Sequence, residues 1–192
     1  MTGRTHDLAA ITALGLVVLQ LPPDRLSLAT VLVALLANQI GGIAPDIDQP
    51  TAPFWRNLPI GGSVGRVFSR VLGGHRFLTH SLLGVALLGY LVWLLLSVLA
   101  PIMPHIAITA VWQAFMIGVL SHLIMDSFTE EGVPWLLPIP IKFGFPPIRK
   151  WRITTGKFAE TLVVFPGLVA FNLWFLLSHY QQLLDLLHKR VV

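Results

Sequence analysis

Two side chains near the end of a long apolar stretch have the spacing needed to hold a metal ion. His122 and Asp126 are four residues apart, so on a helix they project from the same face. An imidazole beside a carboxylate suits zinc, manganese or iron(II) better than calcium. The chain has no cysteine, so a metal must be held by His, Asp or Glu and a cysteine nucleophile is excluded. Such a pair is weak evidence alone, and its weight depends on what lies beside it.

Two carboxylates end an earlier apolar stretch. Asp46 and Asp48 flank a single residue, so in an extended turn only one of them is expected to point at a metal. The other could hydrogen-bond a histidine that binds the metal. Either carboxylate could orient or deprotonate an attacking water.

A third polar group precedes the next apolar stretch. Arg76 lies between His75 and His80 and could hold a phosphate oxygen in a bidentate grip. Thr79 and, further along the chain, Ser121 could hydrogen-bond the metal ligands from behind.

The elements that position these groups are membrane helices. The chain has 192 residues, of which 55% are apolar and only 11% charged, whereas soluble domains carry about 25% charged residues. Residues 77–125 contain no Asp, Glu, Lys or Arg, enough for two spans of about 20 residues each. The pattern predicts an all-α, polytopic membrane helix bundle forming a single domain over residues 1–192. About five hydrophobic helices are expected, at residues 8–21, 26–43, 77–100, 106–125 and 161–184.

The charges indicate an orientation for this bundle. The connections at residues 44–76 and 126–160 are long, and five crossings put both of them on the side of the N-terminus. That side carries ten of the 13 Lys and Arg residues, which the positive-inside rule assigns to the cytoplasm. We therefore expect a multi-pass protein of the cell's inner membrane, with the N-terminus and both long loops cytoplasmic and the C-terminus outside.

On this topology, the ionisable residues of five helix ends lie at one membrane face. Such groups are costly in a membrane and usually face the bundle interior, so a shared polar pocket is expected. The alternative is that the histidines cap helices, the aspartates cap a loop and the arginines only fix topology. The set comprises His6, Asp46, Asp48, His75, His80, His122, Asp126 and Glu160.

These motifs together resemble the YdjM-like family of LexA-binding, inner-membrane-associated, metal-dependent hydrolases. The matching pieces cover the chain to about residue 160. They are GRTH at 3–6, PDID at 45–48, HRFLTHS at 75–81 and SHLIMD at 121–126, extended by SFT at 127–129, GV at 132–133 and WLLP at 135–138. That family is in turn similar to zinc-dependent phospholipases C and single-strand nucleases.

The resemblance implies a set of metal ligands and an activity. In the phospholipase and nuclease group, another zinc is held by a His-x-x-x-Glu pair, but here that spacing runs from Gly156 to Glu160. One or two divalent ions are therefore expected, with zinc first and manganese or iron as alternatives. Asp126 could bridge two ions, and Glu160 would assist from behind or contact substrate. The implied ligands are His6, Asp48, His80, His122 and Asp126.

The leading hypothesis is a hydrolase that cleaves a phosphate ester, a phospholipid or prenyl phosphate, with a metal-activated water at the cytoplasmic face. Asp46, Asp48 and Arg76 would be its catalytic residues. The apolar, proline-rich segment 132–140 is expected either to cover the site where a lipid enters or to be an ordinary interfacial anchor.

Two other classes of function fit parts of the pattern. A metal or proton transporter would need polar groups at mid-membrane depth, for which Asn38, Gln39, Gln113 and Asn172 are the candidates. A non-catalytic regulatory protein would bind a cytoplasmic protein partner, as the family name implies. Nucleic-acid binding is disfavoured because the basic residues are spread over two loops without a recognised module.

Overall fold

The computed structural model describes residues 1–23, 26–52, 55, 59–74, 76–139 and 141–191. Within those ranges the regular structure is helical. A 3₁₀ segment (Ala44–Asp48) follows α2, and a π-helical turn (Glu160–Val164) precedes α6. The α-helices are α1 (Gly3–Gln20), α2 (Leu28–Ile43), α3 (Gly61–Val71), α4 (Leu82–Leu99), α5 (Ile108–Ser127), α6 (Phe165–Ser178) and α7 (Tyr180–Arg190).

The expected membrane helix bundle is confirmed. Four of the five apolar stretches each contain one α-helix, whereas the fifth, 161–184, is divided at His179 between α6 and α7. Four helical segments are long and apolar enough to cross a membrane. The first helix, α1, lies outside those four, although its 18 residues extend about 27 Å. The four candidate spans are Leu28–Asp48, Leu82–Ile102, Ile108–Ser127 and Glu160–Ser178.

Local sequence determines where two of these spans begin. Ser27 accepts a hydrogen bond from the backbone N–H of Thr30 at 3.1 Å, and Ser81 accepts one from Gly84 at 3.0 Å. Each serine satisfies an N–H group that the first turn of a helix leaves without a partner.

Glycines allow α2 and α5 to cross at very short range. A methyl group added to Gly41 would collide with the carbonyl oxygen of Phe115, and one added to Gly118 would collide with that of Asn38. Asn38 is fully buried and donates across the same interface to the carbonyl of Ala114 at 3.0 Å. Small residues at such crossings are what membrane helices use to bring their backbones together.

Helix α1 packs beside this pair with its N-terminus at the end of the bundle where α2 and α5 finish. Gln39 of α2 donates to the carbonyl of Asp7 at 3.4 Å. Further along, Asn172 of α6 donates to Thr12 Oγ1 at 2.6 Å. The N-terminal turn of α1 is thereby placed beside the last turns of α2 and α5.

Both long loops contain ordered elements among their described residues. The first contains α3, a helix that the sequence reasoning did not predict because the segment is short and glycine-rich. Gly61 and Gly65 pack on the buried Trp55, whose indole donates to the carbonyl of Ile47 at 2.9 Å. Helix α3 is therefore seated on the 3₁₀ segment that carries Asp46 and Asp48.

The second loop is pinned to the end of α5. Isolated bridges join Thr129 to Ile153 and Val133 to Phe143. Val133 also belongs to the apolar core, which lies between α4, α5 and the start of this loop. The other buried members of that core are Val85, Phe115, Val119 and Leu123.

Candidate metal centre

Histidines and carboxylates from four parts of the chain meet at one end of the bundle. His6 comes from the first turns of α1, Asp46 from the 3₁₀ segment and His80 from just before α4, while α5 contributes His122 and Asp126. All but Asp46 are almost completely buried, and Asp46 is 21% exposed. The convergence expected from alternating helix ends is therefore present in the structure.

His122 is fixed by the contact between α2 and α5. Its Nδ1 lies 2.6 Å from the carbonyl oxygen of Gly42. Because a carbonyl only accepts hydrogen bonds, we assign the ring proton to Nδ1, which leaves the lone pair on Nε2. That Nε2 is buried and makes no hydrogen bond within the described part of the chain.

The ring of His80 is also oriented by a hydrogen bond at Nδ1. Its Nδ1 lies 3.0 Å from Thr79 Oγ1, and the threonine hydroxyl donates in turn to the carboxylate of Asp48. This order again places the proton on Nδ1 and the lone pair on Nε2. Burial lowers the pKa of His80, but the nearby carboxylates of Asp126 and Asp48 outweigh it and raise that pKa above its ordinary value. A metal ion bound at Nε2 would take the place of the second ring proton.

Asp46 and Asp126 each lie close to both His80 and His122. His80 Nε2 lies 3.6 Å from Asp126 Oδ2 and 3.7 Å from Asp46 Oδ1. His122 Nε2 lies 3.7 Å from Asp126 Oδ2 and 3.6 Å from Asp46 Oδ1. Ligands of a tetrahedral zinc ion with bonds of about 2.0–2.2 Å are separated by about 3.3–3.6 Å. Two groups of three donors have all their ligand atoms within 4.8 Å of one another, Asp46 with His80 and His122, and His6 with His122 and Asp126. Each group could hold an ion, and His122 belongs to both.

His6 adds a fifth donor on the far side of Asp126. Its ring stacks on His122 with 3.6 Å between the centroids, and its Nε2 lies 3.3 Å from Asp126 Oδ1. Neither ring nitrogen of His6 has a hydrogen bond of normal geometry to a described residue. This histidine is therefore available as a ligand, as the family resemblance implies.

The structure distinguishes the two aspartates that the sequence left open. Asp46 contributes an oxygen to the group of donors, whereas Asp48 lies behind His80 and is fully buried. Asp48 Oδ2 accepts from the backbone N–H of Arg76 at 3.0 Å and from Thr79, and lies 3.6 Å from His80 Nδ1. The resemblance implied Asp48 as a ligand, but its position here suits orientation of His80.

Arg76 is directed into the cluster. One guanidinium nitrogen lies 2.6 Å from Asp126 Oδ2 and another donates to Thr129 Oγ1 at 2.6 Å, with Glu131 3.5 Å from the third. The residue has φ of 56°, a left-handed conformation that is uncommon without glycine and recurs at functional sites. The terminal ammonium of Met1 also contacts Asp126. The expected grip of Arg76 on a phosphate stays a prediction, since its side chain is engaged within the protein here.

Glu160 and Ser121 lie outside the group of donors. Glu160 Oε1 accepts from the backbone and hydroxyl of Thr2, at 2.6 and 2.8 Å, and from Thr5 at 2.7 Å. Its Oε2 accepts from the N–H of Gly156 at 2.7 Å. Glu160, in the turn just before α6, thus binds the start of α1. One of its partners, Thr5, is next to His6 in the sequence. Ser121 donates to the carbonyl of Gly118 in its own helix at 2.8 Å.

One predicted residue, His75, lies outside the described residues. Two contributors were missed by the sequence reasoning, the carbonyl of Gly42 and the pair of threonines that bind Glu160. The signal for Gly42 was the small-residue sequence GG at 41–42 together with Gly118. The signal for the threonines was their position at the first turn of α1.

A profile of the YdjM inner membrane protein family matches residues 1–184. The chain belongs to this family. It is 30% identical over 164 residues to the uncharacterized protein YvsG of Bacillus subtilis (strain 168), covering 85% of this chain and 88% of that protein. It is 37% identical over 112 residues to the inner membrane protein YdjM of Escherichia coli (strain K12), covering 54% of this chain and 48% of that one.

The YdjM protein of Shigella flexneri matches with the same identity and coverage. The chain thus spans about half the length of the two relatives that carry the family's name. No solved structure matches the chain. Family membership and the four apolar spans make this a membrane protein.

Proposed function

We propose that this protein is a membrane-embedded, metal-dependent hydrolase with one divalent transition-metal ion at its centre. The observation that carries the proposal is the set of four separations of 3.6–3.7 Å among donor atoms of Asp46, His80, His122 and Asp126. Imidazole and carboxylate donors favour zinc, with manganese or iron(II) as alternatives. His6 would complete or exchange with this set.

The charges of the site support a divalent cation. Asp46, Asp48 and Asp126 bring three carboxylates together. Among the described residues, the Arg76 guanidinium and the Met1 ammonium contact Asp126, and the backbone N–H of Arg76 donates to Asp48. Carboxylates brought together in a buried site need a compensating positive charge. When bound, the ion would lower the pKa of a coordinated water and polarise an oxygen of the substrate.

Asp46 is the residue best placed to handle the attacking water. It is the one donor of the group with appreciable exposure, at 21%, so the centre opens beside its carboxylate. A carboxylate at the opening can orient a water and accept its proton. Asp48 and Thr79, which lie behind His80, would hold its ring with Nε2 toward the ion.

We propose a phosphate ester carried by a lipid, such as a phospholipid or prenyl phosphate, as the substrate. The centre lies at the end of the apolar spans, where a lipid headgroup would sit, and the resemblance to phosphate-ester hydrolases supports that chemistry. We further propose that this end faces the cytoplasm, because the long loops beside it carry most of the basic residues. A cytoplasmic protein partner could reach the site from the same side.

The transporter alternative has less support among the described residues. Three of its four candidate polar residues are used for helix packing. Asn38 donates to the carbonyl of Ala114 at 3.0 Å, Gln39 to that of Asp7 at 3.4 Å and Asn172 to Thr12 Oγ1 at 2.6 Å. Each of these contacts joins two neighbouring helices.

Elemental analysis combined with an activity assay tests the proposal. We expect purified protein to carry about one zinc, manganese or iron ion per chain. It should hydrolyse phospholipids or prenyl phosphates in a chelator-sensitive way. His122→Ala and Asp126→Asn should lose both metal and turnover, whereas Asp185→Asn, which alters an exposed carboxylate paired with Lys189, should retain both.

Two outcomes would contradict the proposal. One is stoichiometric metal and full turnover in a His122→Ala, Asp126→Asn double variant that melts near the wild-type temperature. The other is the absence of metal from wild-type protein purified without chelator and then incubated with each of the three ions.

A further inference from the structure

The central part of the second long loop is basic. Residues 132–159, here named the basic loop, contain five Lys and Arg residues and no Asp or Glu. The loop is tethered at both ends to candidate membrane spans, one ending at Ser127 and the next beginning at Glu160. A segment held in this way lies beside the bilayer surface.

The basic loop also presents large apolar side chains outward. Trp151 and Phe158 are each 72% exposed and Phe145 is 63% exposed. Large apolar side chains exposed together in one segment are typical of a membrane or protein contact site. The remaining large apolar residues on this surface are Leu136, Ile139, Ile141, Phe143 and Ile148, each at least 40% exposed.

This apolar display is built on a fixed backbone. Val133 and Phe143 exchange two backbone hydrogen bonds of 2.8 and 2.9 Å, and the N–H of Phe145 donates to the carbonyl of Ser127 at 2.8 Å. Arg152 donates to the carbonyl of Pro146 at 2.7 Å. A methyl group added to Gly144 would collide with the same guanidinium. The exposed side chains are therefore held outward by the fold.

The basic loop is also continuous with the proposed centre. The N–H of Ile153 donates to the carbonyl of Phe128 at 3.0 Å, and the N–H of Glu130 donates back to Ile153 at 3.1 Å. Thr129, between them, donates to the carbonyl of Asp126 at 2.7 Å and receives the hydrogen bond from Arg76. The loop is thus linked to Asp126 by hydrogen bonds through Thr129 and its two neighbours.

We infer that the basic loop is a docking surface for the headgroup layer of an anionic leaflet. Its apolar side chains would insert at the depth of the glycerol backbone, and its lysines and arginines would contact lipid phosphates. The inference depends on the membrane location of the chain and does not require the centre to hold a metal. With the basic loop docked in this way, a lipid substrate would reach the centre from the adjacent leaflet.

Single-cysteine labelling tests this docking, because the natural chain has no cysteine. Phe145→Cys, carrying an environment-sensitive fluorophore, would be placed in nanodiscs of phosphatidylcholine with or without phosphatidylglycerol. We expect a blue-shifted emission and a several-fold lower iodide quenching constant when phosphatidylglycerol is present. Thr155→Cys, an exposed polar position of the same loop, should stay more accessible to iodide.

Charge-reversal variants show whether the basic residues are responsible. A Lys142→Glu, Arg149→Glu, Lys150→Glu triple variant should lose the phosphatidylglycerol effect at position 145. Lys189→Glu, on the exposed C-terminal helix, should leave it unchanged. Equal quenching at positions 145 and 155 in both lipids would overturn the docking surface, and so would protection that is unaffected by the charge of the lipid.

Discussion

His80 and His122 each bond through Nδ1 to a group outside the cluster, so both present Nε2 to the same point. This arrangement favours the candidate metal centre over the alternative in which the histidines only cap helices. His179 illustrates the latter, because its Nδ1 lies 3.0 Å from the carbonyl of Phe175 in its own chain segment. His122 instead bonds to a carbonyl of another helix, which orients the ring toward its neighbours.

Replacing each of the two aspartates separates metal binding from orientation. We expect Asp46→Asn to reduce turnover most, because it removes an anionic donor at the opening of the centre. Asp48→Asn should keep a metal but bind it about 10–100-fold more weakly, as is usual when a group behind a ligand is changed. Competition with a fluorescent zinc indicator would measure both affinities.

Equal losses of affinity in Asp46→Asn and Asp48→Asn would show that both carboxylates bind the ion. If Asp48→Asn alone lost the metal, the assignment of the two residues would be reversed. Thr79→Val is the matched control, since it removes the hydroxyl that links His80 to Asp48. Its loss of metal affinity should resemble that of Asp48→Asn.

At this scale the sequence could predict which residue types meet but not the role of each. Asp46 and Asp48 differ only in how the 3₁₀ segment turns them, a geometry that their spacing leaves open. Arg76 was expected to face a substrate, yet its left-handed backbone turns its N–H toward Asp48 and its guanidinium contacts Asp126. Such a conformation leaves no trace in residue type unless glycine is present.

Among the elements, the crossing of α2 and α5 is what the centre depends on most. The alternation of apolar stretches predicted that the ends of these helices share one face, and the structure bears this out. The close approach of their backbones depends on Gly41 and Gly118, whose effect on His122 required the three-dimensional arrangement. Helix α3 was missed altogether, because a short glycine-rich segment has weak helical propensity and gains its stability from packing on Trp55.

Gly118→Ala tests the importance of this crossing. The added methyl group would collide with the carbonyl of Asn38, so we expect α2 and α5 to separate and the Gly42–His122 hydrogen bond to lengthen. Overpacking of this kind costs about 1–3 kcal/mol, and the metal affinity should fall with it. Thermal melting in detergent and zinc competition would measure the two effects.

Gly62→Ala is the matched control for this change. Gly62 lies on α3 with open space around it, so the substitution should leave metal affinity unchanged and melting unchanged or slightly raised. If Gly118→Ala kept the wild-type melting temperature and affinity, the crossing would not control the centre.

For the whole molecule, the buried ionisable side chains of the described residues gather at one end of the bundle. Composition alone predicted the membrane class, and the sides of the loops were predicted from their charges. The packing of α1 agrees with this scheme, because His6 at its N-terminus meets Asp126 at the end of α5. The orientation in the membrane stays a prediction.

Cysteine accessibility would determine that orientation. We expect a membrane-impermeant thiol reagent to label Ser63→Cys and Thr155→Cys, in the two long loops, only in inverted vesicles. Gln181→Cys, in α7, should be labelled only in right-side-out vesicles or cells, because one further span separates it from the loops. The opposite pattern would place the centre at the outer face.

The distance along the chain between His6 and Asp126 has a consequence for biogenesis. His6 is synthesised early, but its carboxylate partner lies at the end of α5 and reaches the membrane about 120 residues later. During synthesis, His6 therefore has no Asp126 partner until α2, α4 and α5 have been made. The centre can assemble only after α5 has left the ribosome, so metal acquisition would belong to the maturation of the inserted protein.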